Sequence, residues 1–385
     1  MQQIEYTGKN SINNLHNILA EYKASKVFLV TGKKSFIDCK AQSFINEIKN
    51  IDFIQFNDFS ANPKIEDVNT GLRSFNQSGA DTIIAIGGGS AIDIAKLIKY
   101  YAIQNIKNIS IADIENKPDI NVKNNISLIA IPTTSGSGSE ATKFAVMYAN
   151  KIKYSVDNNF ILPGHVIIDP LLSMSLSPYN TAVTGLDALC HAIESYWSIN
   201  STEVSKDFAK KAIASIINNL SLTVSNPDIE LRLNMAIASN LAGKAINITK
   251  TTAAHAMSYT LTAYFSIPHG LAVALLLPDL LVYNYNVTED DINDSRGVNY
   301  LKQNIMEISR FLGGKNILDA KNIIENIIHR TGLSLNLSSY GIKTDDVDFI
   351  VDNTNIERLN NNPRKLNKNE IKKNLKNKIM DVSNA

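Results

Sequence analysis

Residues 81–86 read D-T-I-I-A-I and run directly into Gly87, Gly88, Gly89 and Ser90, followed by A-I-D-I-A-K-L-I-K-Y-Y. An almost wholly apolar strand of this length, stopped by glycines and followed by an apolar stretch at three- and four-residue spacing, predicts a buried strand, a tight turn and a helix. Consecutive glycines let a backbone approach a ligand closely. The helix that follows presents unpaired N–H groups and the positive end of its dipole. Strand, glycine turn and helix together describe a cradle for phosphate; an ordinary tight turn is the competing reading of the glycines alone.

The same alternation continues on either side. Residues 26–31, K-V-F-L-V-T, form a β-branched and aromatic run that ends at Gly32, Lys33, Lys34 and Ser35. Residues 52–57 suit a second strand, and 64–78 place Val68, Leu72 and Phe75 on one side of a helix. Residues 127–131 give another apolar strand, after which P-T-T-S-G-S-G-S-E spans 132–140. There the hydroxyls of Thr133, Thr134 and Ser137 and the free amides suit ribose and diphosphate, and Ser139 and Glu140 suit a capped helix start. Residues 166–169 close the series before Pro170. Strands alternating with helices predict a mainly parallel, Rossmann-like sheet wrapped by helices, with ligands at the carboxyl ends of the strands.

From Thr181 onward strand signals stop and helical spacing takes over, at 205–220, 230–243 and 304–312 among others. The expected organisation is a dinucleotide-binding α/β domain over 1–178 and an all-helical metal- and substrate-binding domain over 179–385. A chain of 385 residues, 44% hydrophobic, can fill two such cores. Thirty-eight Lys and Arg balance 37 Asp and Glu, so no overall field attracts nucleic acid or an acidic membrane. Apolar runs are broken by proline or charge before bilayer-spanning length, and no transmembrane anchor is expected. Cys39 and Cys190 give no disulfide framework, which suits a reducing cytoplasm. The Asn- and Lys-rich C-terminal stretch reads as a solvated helix.

Residues 184–197, T-G-L-D-A-L-C-H-A-I-E-S-Y-W, predict a helix with Asp187 and His191 one turn apart on one face. A carboxylate and an imidazole so placed can grip one divalent cation if other segments complete the set. His255 and His269 are the candidates for that; His16, His165 and His329 read as structural.

Taken together, G-G-G-S with Asp93 and Lys96, the P-T-T-S-G-S-G-S-E loop, D-A-L-C-H-A-I-E-S-Y, and His255 followed after thirteen residues by His269-Gly270 resemble the iron-containing (group III) alcohol dehydrogenase family. The resemblance covers most of the chain. It implies an N-terminal dinucleotide-binding domain and a C-terminal helical domain, metal ligation by Asp187, His191, His255 and His269, and ferrous iron, with zinc as the alternative. It implies a cofactor site lined by Gly88, Gly89, Ser90, Asp93, Thr133, Thr134 and Lys153, and a homodimer. Tyr259 stands where many members carry a histidine, so a proton relay, a wall beside the nicotinamide and a packing residue are all open to it. Where NAD-preferring members tend to carry an acidic residue, this chain has Gly32 followed by Lys33, Lys34 and Ser35, which predicts NADPH over NADH. The segment 243–255 adds Lys244 and Lys250 to a stretch that is usually apolar; with R-L-N-N-N-P-R-K-L near the C-terminus it is similar to the phosphonoacetaldehyde reductase branch. Asn247, Lys250, Thr251 and Arg364 are then the candidate substrate contacts. Competing readings are a general short-chain alcohol, lactaldehyde or propanediol dehydrogenase, a lyase-type reading as a dehydroquinate-synthase-like or glycerol-dehydrogenase-like protein, and a non-catalytic metal- or nucleotide-binding protein.

Overall fold

The structure, a computed structural model, describes residues 3–115, 126–354 and 356–379. The chain separates into two compact units, Met1–Leu176 with Asp228–Asn240, and Ser177–Pro227 with Leu241–Ala385. The segment Asp228–Asn240 joins the first unit, where Ala236 packs against the core, so the division departs there from a single cut after residue 178.

Six strands of the first unit, β1 (Ile4–Thr7), β2 (Lys26–Thr31), β3 (Asp52–Phe56), β4 (Thr82–Gly87), β5 (Ser127–Pro132) and β8 (His165–Ile168), form one sheet in the order β1-β8-β5-β4-β2-β3. Every neighbouring pair is parallel. Alternate side chains feed two cores. Phe28, Val30, Ile83, Ala85, Leu128 and Ala130 pack on one face, and Val27, Leu29, Ile84, Ile86, Ile129 and Ile131 on the other. Both faces are buried, which is why these strands read as continuous apolar runs. Among the described residues the helices of this unit are α1 (Asn14–Glu21), α2 (Ser35–Asp38), α3 (Ala41–Glu47), α4 (Ile65–Ser78), α5 (Gly89–Ala102), α6 (Ile111–Glu115) and the first part of α9 (Ile229–Thr249).

The chain runs from β2 outward to β3 and then returns past β2 to β4. The reversal lies between β2 and β4, whose carboxyl ends, Thr31 and Ile86, are in register. A crevice outside that point is where open parallel sheets take their ligands. Two features escape the sequence reading. The edge strand β1 is four residues long, with only part of each side chain covered. An antiparallel hairpin, β6 (Phe144–Ala149) and β7 (Ile152–Asp157), turns on Asn150 and Lys151, both with positive φ. Lysine lacks the ease of glycine in that conformation, so the usual hairpin signature is missing.

The described residues of the second unit hold no strand, only an isolated bridge between Ile292 and Arg364. Its helices are α7 (Pro178–Trp197), α8 (Glu203–Ser225), the later part of α9 (Ile229–Thr249), α10 (Ala253–Phe265), α11 (His269–Tyr285), α12 (Val298–Leu312), α13 (Ile317–Arg330), α14 (Asp346–Asp352) and α15 (Lys368–Lys376). Helix α7 starts six residues earlier than the motif suggests, because Pro178 sits in its first turn and Ser177 Oγ accepts from Asn180 N at 3.2 Å. Helix α11 is buried on nearly all sides from Gly270 to Leu281 and packs against α7, α10 and α13. No helix among the described residues is long and apolar enough to cross a membrane.

Candidate metal centre and nucleotide cradle

Three helices of the second unit bring the metal candidates together. Asp187 and His191 stand on α7, His255 lies in the first turn of α10, and His269 opens α11. Oxygen and nitrogen atoms of Asp187, His191 and His255 all fall within 4.8 Å of one another, and all three residues are buried. His255 Nε2 lies 3.6 Å and His269 Nε2 4.0 Å from Asp187 Oδ1. The rings of His191 and His255 stack at 4.5 Å. Gly270 makes this approach workable, since a Cβ there would lie 2.2 Å from the carbonyl oxygen of Val183 and 2.7 Å from Asp187 Cβ. The backbone of α11 rests directly on α7.

Asp187 Oδ1 and His255 Nε2 are buried without a hydrogen-bond partner. Leaving such atoms unpaired costs about 1–3 kcal/mol each, and a cation between them would satisfy both. A mixed carboxylate and imidazole set at these separations fits a divalent transition metal. The electrostatics agree. Burial opposes the charge on Asp187, yet His191, His255 and His269 hold its carboxyl far below the usual carboxylate range. Burial also opposes a charged His255, and the Glu194 and Asp187 carboxylates reverse this, raising it to about 10. The field at the centre favours positive charge.

Glu194 is the residue that sequence reasoning passed over. It is fully buried on α7, two turns beyond Asp187, and its Oε2 meets Nδ1 of His255 in a short contact. Its Oε1 accepts from Thr252 Oγ1 at 2.7 Å and from the backbone N–H of Ala254 at 2.8 Å. Trp197 Nε1 donates to the same Thr252 hydroxyl at 2.9 Å. Glu194 therefore caps the open end of α10 and turns His255 so that Nε2 faces Asp187. The glutamate in D-A-L-C-H-A-I-E, three residues after His191 on the same helix, was the available signal.

Tyr259 lies one turn after His255, half-buried, its ring 5.9 Å from that of His269 and nearly parallel to it. Of the substrate candidates, Asn247 is half-buried in the last turn of α9, and in the turn between α9 and α10 Thr251 is half-buried and Lys250 exposed. Arg364 makes contacts within its own unit. Its Nε and Nη2 reach Asp291 Oδ2 at 2.8 and 2.7 Å, Nη1 donates to the Tyr283 carbonyl at 2.5 Å, and its guanidinium covers the Tyr283 ring. These contacts tie Arg364 to Asp291 and to the end of α11.

In the first unit, the glycines of 87–89 and the loop after β5 meet at the carboxyl end of the sheet. Thr133 N donates to the Gly87 carbonyl at 3.0 Å. A Cβ on Gly88 would lie 3.2 Å from Thr134, and one on Gly89 would lie 2.7 Å from Ser137 Oγ, so the two loops close on each other only without side chains. The Thr133 hydroxyl is buried without a partner. Helix α5 begins at Gly89, its first amides facing the same end as Gly32 and Pro132.

The other cofactor candidates are divided between interior and surface. Asp93 accepts from Ser139 Oγ at 2.6 Å and from Val146 N at 3.1 Å, so its two carboxylate oxygens anchor the loop and the hairpin. Ser90 Oγ donates to the Ala61 carbonyl in a short contact. Lys33 pairs with Asp58 at 3.0 Å on the exposed surface; Lys34 is exposed and Ser35 half-buried. Lys153 is half-buried on β7. Lys96 is fully buried; its ammonium faces the carbonyls of Ser139, Thr142 and Phe144 and the hydroxyls of Ser139 and Thr142. It holds the P-T-T-S-G-S-G-S-E loop to α5. A recess of about 540 Å³ opens among Ile12, Cys39, Phe44, Leu171 and Met174 near the ends of β1 and β8. His16 and His165 pack against aromatic rings in this unit, as structural histidines do.

Comparison with known proteins follows the same division. Residues 4–170 match the model of the iron-containing alcohol dehydrogenases, and residues 181–379 match that of the Fe-containing alcohol dehydrogenase family, C-terminal. The chain is 31% identical over 384 residues to NADPH-dependent butanol dehydrogenase of Clostridium saccharobutylicum, covering 96% of this chain and 94% of that one. It is 36% identical over 283 residues to aldehyde-alcohol dehydrogenase 2 of Entamoeba histolytica, an alignment that takes in 69% of this chain and only 32% of that longer protein. Among solved structures, sulfoacetaldehyde reductase from Bifidobacterium kashiwanohense in complex with NAD+ superposes with a TM-score of 0.86 at 27% identity, covering 100% of this chain and 98% of that one.

Proposed function

The chain belongs to the iron-containing alcohol dehydrogenase family, metal-dependent oxidoreductases acting on CH–OH groups, and on that premise we propose that it is an NADPH-dependent reductase of short aldehydes with a terminal anionic group. Phosphonoacetaldehyde, reduced to 2-hydroxyethylphosphonate, is the specific substrate. The observation that carries the chemistry is the buried convergence of Asp187, His191 and His255.

Asp187, His191, His255 and His269 are the residues that would hold ferrous iron, with zinc as the alternative. Bound there, the cation supplies a Lewis acid for the carbonyl oxygen, and the nicotinamide supplies the hydride. Glu194 keeps Nε2 of His255 turned toward the cation's place. Tyr259, parallel to His269, serves as a wall for the reacting carbon, and its hydroxyl is within the chain's means as a proton carrier. Gly87, Gly88 and Gly89 would hold the diphosphate through their open backbone, with the Thr133 and Thr134 hydroxyls beside them. Preference for NADPH rests on Gly32, which removes the carboxylate a 2′-phosphate would face, and on Lys34 and Ser35. Lys33 reaches the phosphate only by leaving Asp58, an exposed pair worth less than about 1 kcal/mol.

The anionic group is assigned to the last turn of α9 and the residues after it, which carry Asn247, Lys250 and Thr251. The likeness to a sulfoacetaldehyde reductase supports it, since that enzyme's named substrate is a two-carbon aldehyde bearing an anion. A general short-chain alcohol dehydrogenase is the second reading, favoured by the full-length likeness to a butanol dehydrogenase and by the engagement of Arg364 with Asp291. An anaerobic assay of the iron-loaded protein, with NADPH or NADH and with phosphonoacetaldehyde, propanal, lactaldehyde or butanal, tests both. The proposal expects kcat/KM at least tenfold higher for phosphonoacetaldehyde and for NADPH. Equal turnover of the neutral aldehydes returns the second reading, and a ratio favouring NADH removes the cofactor assignment.

A further inference from the structure

In the R-L-N-N-N-P-R-K-L segment, Arg364 is engaged with Asp291 and the Tyr283 carbonyl, and the asparagines tie several elements together. Asn361 Nδ2 donates to the carbonyls of Thr249 and Thr251, both at 2.8 Å. Its Oδ1 accepts from Ser198 Oγ at 3.0 Å and from Asn200 Nδ2 at 2.8 Å. One side chain thus joins the residues just past α7 to the turn between α9 and α10. That turn contains Lys250 at φ 60°, a left-handed conformation unfavourable for a side-chain-bearing residue, and the Thr249 carbonyl, without a partner in its own helix, accepts also from Ser198 Oγ at 3.2 Å.

Thr252, directly after the turn, supplies the hydroxyl that holds Glu194, and Glu194 holds His255. The segment around Asn361 is anchored to the far end of α11, the helix that opens with His269. Asn362 and Asn284 exchange hydrogen bonds at 2.9 and 3.3 Å, and Arg364 donates to the Tyr283 carbonyl. All three helices bearing candidate ligands therefore meet this segment or the turn it holds.

We propose that Asn361 is a positioning residue of the metal centre: by fixing the Thr249–Thr252 turn it keeps Glu194 aimed at Nδ1 of His255, and Nε2 of His255 toward the cation. The inference rests on the metal reading of the cluster given above. Its test uses the full-length metal-free chain titrated with Co2+, reading affinity by calorimetry and ligand geometry from the visible spectrum of the bound ion. Asn361→Ala is expected to weaken Co2+ binding at least tenfold and to shift the spectrum, the usual consequence of losing a group that orients a ligand. Asn361→Asp, nearly isosteric, keeps the acceptor for Ser198 and Asn200, loses both donors to the turn, and is expected to behave alike. Asn316→Ala removes the cap of α13, where Asn316 Oδ1 accepts from Leu318 N and Asp319 N. It is expected to lower the melting temperature without moving affinity or spectrum.

Wild-type affinity and spectrum in both Asn361 variants overturn the inference, as does an equal loss in Asn316→Ala. If neither Asn361 variant folds, the residue is structural and the inference falls. If the wild-type chain binds no Co2+, the metal reading itself fails; binding in the wild type that both Asn361 variants leave unchanged removes only the role of Asn361.

Discussion

Glu194 and His255 are 61 residues apart in the chain, yet the carboxylate of one closes directly on Nδ1 of the other, with Asp187 Oδ1 standing 3.6 Å from the opposite nitrogen of the same ring. The imidazole is held between two buried carboxylates. One side fixes its tautomer and orientation, and the other shares with it the place where a cation fits.

Glu194→Ala should therefore weaken Co2+ or Zn2+ binding by roughly 10- to 100-fold, measured by calorimetry on the metal-free chain. It also strips the Thr252 hydroxyl and the Ala254 N–H of their acceptor, at a further cost of about 1–3 kcal/mol in stability. Glu194→Gln, whose amide oxygen still accepts from Nδ1–H, should lose less affinity than the alanine variant. Equal metal binding in all three proteins would deny Glu194 the orienting role.

Gly270→Ala should destabilise the second unit by about 3 kcal/mol, because the added carbon meets the backbone carbonyl of Val183, which cannot rotate away. Parting α11 from α7 carries His269 away from Asp187. Thermal unfolding and Co2+ affinity should fall together; a variant with unchanged melting temperature would show that the helices separate easily.

Lys250→Ala should lower kcat/KM for phosphonoacetaldehyde about tenfold or more and leave propanal within twofold, since one charge-assisted contact to an anion is worth roughly 1.5–3 kcal/mol. Parallel steady-state assays decide it. Equal loss on both aldehydes would assign Lys250, with its left-handed backbone, to the turn's structure.

Lys99 on α5 gives a pH-dependent prediction. It is 4% exposed, and burial pushes its ammonium down to about 8 from an ordinary 10.5. Between those two values the unfolded chain holds a proton that the folded chain has released, so stability at this site rises with pH from about 8 to 10.5. Below pH 8 both states are charged and the full penalty of burying the ammonium applies. Lys99→Met should raise stability at pH 7 by about 1–3 kcal/mol and reduce the upward slope of the melting temperature across the alkaline window. Identical slopes in wild type and variant would show that the ammonium reaches water.

What could be read from the amino-acid order alone was whatever lies within one element or at one junction. Asp187 and His191 share a face because a helix repeats every 3.6 residues, and the glycines at 87–89 announce a close backbone approach because no other residue permits it. Parallel strands covered on both faces appear as unbroken apolar runs, so the Rossmann-like class was legible from 26–31, 81–86 and 127–131. The pairing of distant polar groups was not. Glu194 finds His255, Asn361 finds Thr249 and Thr251, Arg364 turns to Asp291, and Asp93 turns to Ser139 and Val146, each across dozens of residues. A charged or amide side chain looks the same in sequence whether it faces a ligand or its own fold. Which it does is decided when packing removes water and each buried donor must take the nearest acceptor that the fold supplies.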